Sequence, residues 1–250
     1  MASNIIMRTG KRDNDKHLRA TNSLMAIAGI LLLLAAMGFK KKAFEITVLP
    51  VFDGRPLVPD SSRYVSEKGD TLVIEAFRFY VGNFCFYKKG RRHRLDHSYY
   101  LIDASKPQSQ NISLAGLSAS FDSLAVTIGV DSTASVSGAL SGVLDPAAGM
   151  YWAWNTGYIN AKLEGRSRQC PALHNAFEFH IGGYRAPYKA CRVVMLKPGN
   201  TAGKSSIIIE ADAARMLKNI KLSEKNSVVI PGKDACMIAD NYAGMLSIKQ

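Results

Sequence analysis

The stretch from Thr71 to Tyr87, TLVIEAFRFYVGNFCFY, is dominated by β-branched and aromatic residues. Such side chains suit a pleated, half-buried surface better than a helix. The run is far longer than an ordinary strand of about five or six residues, and Gly82-Asn83 inside it predicts a bulge or bend. Shorter runs follow the same pattern. FEITVLPVF alternates and predicts a strand over Ala43 to Phe52, closed by the turn Asp53-Gly54. Residues 55–70 read as loop. KKGRRHR at 88–94 centres on Gly90 and predicts a hairpin with a basic tip, returning through a strand from Ser98 to Ile102. Polar residues 104–113, with Pro107, read as a connection, and Phe121 to Val130 as a strand. The Ser-, Ala- and Gly-rich segment 132–143 reads as a surface loop, and Tyr188–Leu196 and Ser205–Glu210 as further strands.

The period changes in the last quarter. Asp212 resembles an N-cap and predicts a short helix through Leu217. From Lys233 to Leu246, the residues Ala235, Ile238, Ala239, Tyr242 and Leu246 fall at intervals of three and four, which predicts an amphipathic helix. The expected fold is therefore mainly β: a β-sandwich with short C-terminal helices, formed by one domain over residues 43–250.

Residues 1–42 stand apart. Leu24 to Phe39, LMAIAGILLLLAAMGF, carries no charge and follows a basic flank, as a signal-peptide core does. It is shorter than the roughly 20 residues of a comfortable transmembrane helix. Ala36-Met37-Gly38 offers small residues for cleavage, whereas Lys40–Lys42 just beyond hinder translocation, so cleaved signal and uncleaved anchor are both open. Either places the body in the periplasm or cell envelope. The net charge of +12 is misleading until it is located. Residues 1–42 hold eight basic residues against two acidic, half of the excess. Membrane contact is expected only through this segment. Nucleic-acid binding would need basic residues spread over a face with stacking aromatics, and only the hairpin tip qualifies.

The candidate chemistry is sparse. No nucleophile elbow, zinc-protease helix, P-loop or dinucleotide glycine pattern occurs, so a non-enzyme is expected. Four cysteines match no paired zinc or redox spacing. Cys170 and Cys191 flank FEFHIGGY, and a bridge between them would close a loop of about twenty residues if the flanking strands pair, stabilising by roughly 3 kcal/mol. Cys85 and Cys236 read as small core residues. Of five histidines, His97 and His180 are the candidate metal ligands. Strand alternation sets His180 opposite Phe177, Phe179 and Ile181, on the face of Glu178. Met150 is a candidate soft donor, and sulfur with imidazole would suit copper. Trp152 and Trp154, two apart, would share one side of a strand as an aromatic patch.

The segments FDG-x-PL at 52–57, F-x-FYV-x-N at 77–83, YLID at 100–103, IGVDS at 128–132, LDP-x-x-GMYW-x-W at 144–154, LEG at 163–165, FHIGG at 179–183 and ADNY at 239–242 together resemble the MbnP-like copper-binding proteins, in a Bacteroidetes-type form. The resemblance covers roughly Phe44 to Ile248. It implies an exported β-sandwich that holds copper through histidines and an oxidised tryptophan, with a di-haem cytochrome c peroxidase-like partner. Only His180 lies in a matching motif related to metal; Trp152 and Trp154 match positions, and no W-x-H triplet is present. The expected function is thus an exported, non-catalytic copper-binding protein. The alternative is a metal-free envelope module that docks a protein or glycan through its tryptophans.

Overall fold

The computed structural model describes residues 43–249, except 116–119, 155–156, 200 and 202. The expectations for residues 1–42, including the apolar run 24–39, lie outside the described residues. Among those described, no helix is long and apolar enough to cross a membrane.

Strand β1 (Phe44–Phe52) follows its alternation closely and ends in Asp53 and Gly54, both at positive φ. Residues 55–70, expected as loop, contain two short strands, β2 (Arg55–Pro56) and β3 (Arg63–Val65). Each lies against a longer strand that satisfies its backbone. Strand β4 (Thr71–Lys88) is the long strand, and its register slips between Gly82 and Cys85, where the bulge was expected. A Cβ at Gly82 would sit 1.9 Å from the Ser98 carbonyl oxygen, so this close approach admits only glycine. The basic hairpin forms between β4 and β5 (Arg91–Arg94), turning through Lys89 and Gly90, and β6 (Tyr99–Asp103) returns along β4. The connection at 104–113 holds a 3-10 turn, Pro107–Gln110, and the start of β7 (Asn111–Leu114), which pairs with β1.

Strand β8 (Ser123–Ile128) leads into an excursion expected as plain loop. It opens with a short helix α1 (Ser132–Val136), because the Asp131 carboxylate accepts from the Ala134 N–H at 3.0 Å. Beyond it run β9 (Tyr151–Trp152), β10 (Gly157–Ser167), β11 (Ala176–Gly182), β12 (Arg192–Leu196) and β13 (Ser206–Asp212). The short helix after Asp212 is a 3-10 turn, Ala213–Leu217, capped by that carboxylate. After β14 (Ser227–Val228), helix α2 (Lys233–Tyr242) buries Ala235, Ile238, Ala239 and Tyr242, the predicted stripe. Leu246 belongs instead to β15 (Leu246–Ile248), because the chain turns at Gly244 and pairs with β13.

Two sheets result. One runs β15-β13-β1-β2, with β7 also on β1; the other runs β12-β8-β4-β10-β11-β14, with β3, β5 and β6 on β4 and β9 on β10. Ile46 and Val48 of β1 and Ile207 and Ile209 of β13 meet Phe77 and Phe79 of β4, Leu163 of β10 and Phe177, Phe179 and Ile181 of β11 in one buried cluster. The architecture is the expected β-sandwich. A second cluster lies on the other side of the larger sheet. There Tyr80, Tyr158 and Ile159 are covered by Val130, Ala134, Leu144, Met150 and Trp152 of the excursion. The Tyr80 hydroxyl donates to the Val143 carbonyl at 3.0 Å and the Tyr158 hydroxyl to that of Leu144 at 2.9 Å, which ties the excursion down.

Gly182 is the narrow point beneath this cover. A Cβ there would meet the Tyr158 carbonyl oxygen at 2.4 Å and the Trp152 ring at 2.7 Å. Gly182→Ala should destabilise the domain by about 1–3 kcal/mol through overpacking and redshift the tryptophan emission as the Trp152 ring is displaced. Urea denaturation followed by fluorescence checks both, and an unchanged spectrum would show that the ring is not held there.

Candidate functional site

The outer face of the larger sheet beside the excursion is charged. Register aligns His180 of β11 with Lys162 of β10, Lys162 with Arg78 of β4, and Arg78 with Asp103 of β6. Directly opposed residues in antiparallel pairs project from the same face. The core-facing neighbours Phe177, Phe179 and Ile181 are fully buried, so the period-two expectation for His180 holds. Its partner is not Glu178, which bonds Ser227 instead. It is Glu164, diagonally across on β10: His180 Nε2 lies 2.6 Å from Glu164 Oε1. Lys162 Nζ lies 3.4 Å from the same oxygen.

A carboxylate only accepts, so Nε2 carries the hydrogen in this bond, and in the neutral imidazole the lone pair then lies on Nδ1. The His180 hydrogen bond, with the Lys162 charge assisting, holds the Glu164 carboxyl down at about 2 against the opposing effect of burial. At the far end of the row Arg78 Nε is 3.2 Å from Asp103 Oδ2. A Cβ at Gly149 would sit 3.9 Å from Arg78 Nη1, which places that guanidinium beneath the end of the excursion.

The tryptophans flank this row. Trp152 rests over Gly182, two residues beyond His180 on the same strand face. Trp154 stands 5.7 Å from it, centroid to centroid, but is 65% exposed. The two do not form one buried patch, because β9 ends at Trp152 and the strand periodicity ends with it.

Three sequence expectations are corrected. His97 does not join His180: it sits exposed at positive φ in the turn before β6, whereas the His180 row meets β6 at its other end, Asp103. The length of β6, Tyr99–Asp103, separates the two levels, about 14 Å over its four steps at 3.4 Å per residue. Met150 is fully buried in the second cluster and is a core residue, not an available sulfur donor. Cys170 and Cys191 are both free. Cys170 lies beside Asn175 before β11, and Ala190 bonds Gly183 after it, so the whole of β11 separates them. β12 pairs with β8, not β11, and the assumed strand pairing is absent. Bridging needs Cα atoms within about 7 Å. Burial pushes the Cys191 thiol up to about 11.

Among the described residues no group of three or more His, Cys, Asp or Glu side chains converges. What the site offers is one imidazole, oriented by a carboxylate, beside an aromatic pair and a cationic row. Glu164 was missed because a diagonal partner depends on strand register, although LEG and FHIGG both stood out as motifs. A family profile described as MbnP matches residues 41–237, most of the chain. The chain belongs to the MbnP family. MbnP is not a known enzyme family. Among solved structures, MbnP from Methylosinus trichosporium is similar, with a TM-score of 0.52 and 15% identity over 78% of this chain and 82% of that one. That likeness concerns the fold. No curated protein sequence matches the chain.

A depressed carboxyl stabilises the fold fully above its ordinary value of about 4.3 and loses that contribution as pH falls through its folded value. Glu164→Gln should therefore melt below wild type at neutral pH. The gap should close between about pH 4.5 and 2, the window set by the Glu164 value. Thermal melts across that range check it; a gap independent of pH would show that the carboxylate's charge is not what matters.

Proposed function

We propose that this MbnP-family protein is an exported, non-catalytic copper-binding protein in which His180 Nδ1 is a metal ligand and Glu164 holds the imidazole in the required tautomer. The carrying observation is the 2.6 Å contact between His180 Nε2 and Glu164 Oε1. A carboxylate behind one ring nitrogen is the usual outer-shell arrangement for a ligating histidine. Imidazole suits copper, and the half-buried ring is reachable from the outer face, with 17% of its side chain exposed. The imidazole fits copper at this one position, and among the described residues no group of three or more His, Cys, Asp or Glu side chains forms around it. Export is supported by the uncharged apolar run 24–39 behind a basic flank.

Equilibrium dialysis against Cu(II) tests the assignment. Wild type should retain copper, His180→Ala should lose most of it, and Glu164→Gln should weaken binding by about 10–100-fold, the usual effect of removing an outer-shell partner. Undiminished retention by His180→Ala would overturn the ligand assignment. No retention by wild type would overturn the copper reading.

A second reading rests on Trp154. An indole 65% exposed beside a half-charged face is the kind of anchor that docks a protein or a glycan. A wild type that retains no copper would favour it.

A further inference from the structure

The basic hairpin tip takes no part in the site above. Residues 88–94 contain Lys88, Lys89, Arg91, Arg92, His93 and Arg94 and no acidic residue. All six of these side chains are exposed. Among the described residues one carboxylate pairs with these side chains, Asp96 with Arg94 at 2.7 Å; Asp122 accepts from the Lys89 backbone N–H at 2.6 Å and does not pair with its ammonium. Lys88, Lys89, Arg91 and Arg92 form no ion pair among the described residues. The turn is fixed by Lys89 and Gly90, both at positive φ, so the cations sit on a shaped projection at the end of the longest strand.

The position of this projection is informative. Phe44, the first residue of β1, packs against Phe121 with centroids 5.5 Å apart, and Phe121 packs against Phe86 at 5.0 Å. Phe86 lies two residues before Lys88 on β4. The start of β1 and the hairpin therefore belong to the same end of the sandwich. Exposed Lys197 and Lys204 lie at this end too, just past the end of β12 paired with the start of β8, and just before Ser205, which bonds Glu45. By covalent connection, the chain arrives at Phe44 from Lys40–Lys42 and the uncharged run 24–39. An apolar segment that enters a bilayer brings the end of the domain to which it is joined toward the lipid headgroups.

We propose that the β4–β5 hairpin is a docking surface for the anionic headgroups of a phospholipid bilayer, turning the β1-start end of the domain toward the membrane. Cationic side chains near an anionic surface each strengthen attachment by roughly fivefold at physiological salt. Four cations without an ion pair among the described residues, on one projection, suffice to favour one orientation. The charged face carrying His180 lies along the strands rather than at their tip, so docking leaves it open to solvent. The proposal is independent of copper binding.

Hydrogen exchange of the full chain on vesicles, read by mass spectrometry over residues 84–95, tests it. On vesicles of phosphatidylcholine with 30% phosphatidylglycerol, the tip amides should exchange at least about fivefold more slowly than on pure phosphatidylcholine, the effect of a single charge contact. The difference should vanish in about 0.5 M NaCl, where screening acts within a few ångströms. It should also vanish in Arg91→Gln/Arg92→Gln/Arg94→Gln. A matched variant at the opposite end, Lys68→Gln/Arg168→Gln/Lys218→Gln, should retain it. Equal exchange on both vesicle types would overturn the proposal, as would equal loss in the opposite-end variant. Protection of the tip by soluble dextran sulfate as strong as that given by anionic vesicles would assign the surface to a polyanionic polymer and overturn the lipid assignment. The salt arm uses wild type alone, so a folding defect in the variants leaves the test decisive.

Discussion

The structure depends on β4 being covered on both sides. Its inward residues, Phe77 and Phe79 among them, face the smaller sheet, while Tyr80 on the other side lies beneath the excursion that follows β8. A sheet buried on one face can leave the other to water, but Tyr80 and Tyr158 could not be left there without exposing two aromatic rings. Their hydroxyls settle the matter by donating to carbonyls of the covering chain. The excursion is thus a third partial layer anchored by polar atoms at its inner surface. Where it stops, the sheet becomes charged.

That boundary creates the candidate site. Trp152 closes the covered half over Gly182, and His180 is the next residue outward on that face. The imidazole lies between an aromatic wall and a charged ladder of Lys162, Arg78 and the buried Asp103, with Glu164 fixing its orientation. A histidine deeper under the excursion would lack solvent access, and one farther out would lack the wall.

Much of the sandwich was legible because strands advertise themselves with period two. β1, β4, β8, β12 and β13 were all anticipated to within a few residues, as was the Gly82 bulge. The stripe on α2 was also readable, but its end was not, because a Leu at the right helical interval can equally serve the strand that follows. The site was harder. The face of His180 follows from alternation alone, whereas Glu164 required knowing which residue of β10 lies diagonal to it. The failed expectations have related causes. His97, Met150 and the Cys170–Cys191 pair were judged by residue type and spacing in the chain, whereas strand pairing sets the distances of His97 and the cysteines and burial beneath the excursion takes Met150. Trp154 escaped its strand partner because β9 is only two residues long.

The pairing of β1 with β13 has an effect on how the chain must be made. These strands run parallel, with Glu45 opposite Ser206 and Val51 opposite Asp212, so the smaller sheet joins nearly the first and nearly the last of the domain's strands. Its central ladder cannot form until almost the whole domain has left the ribosome, and loop closure on that scale makes the step slow. Until then the nascent chain keeps β1 without its parallel neighbour, so its β13-facing backbone edge stays unpaired through most of synthesis.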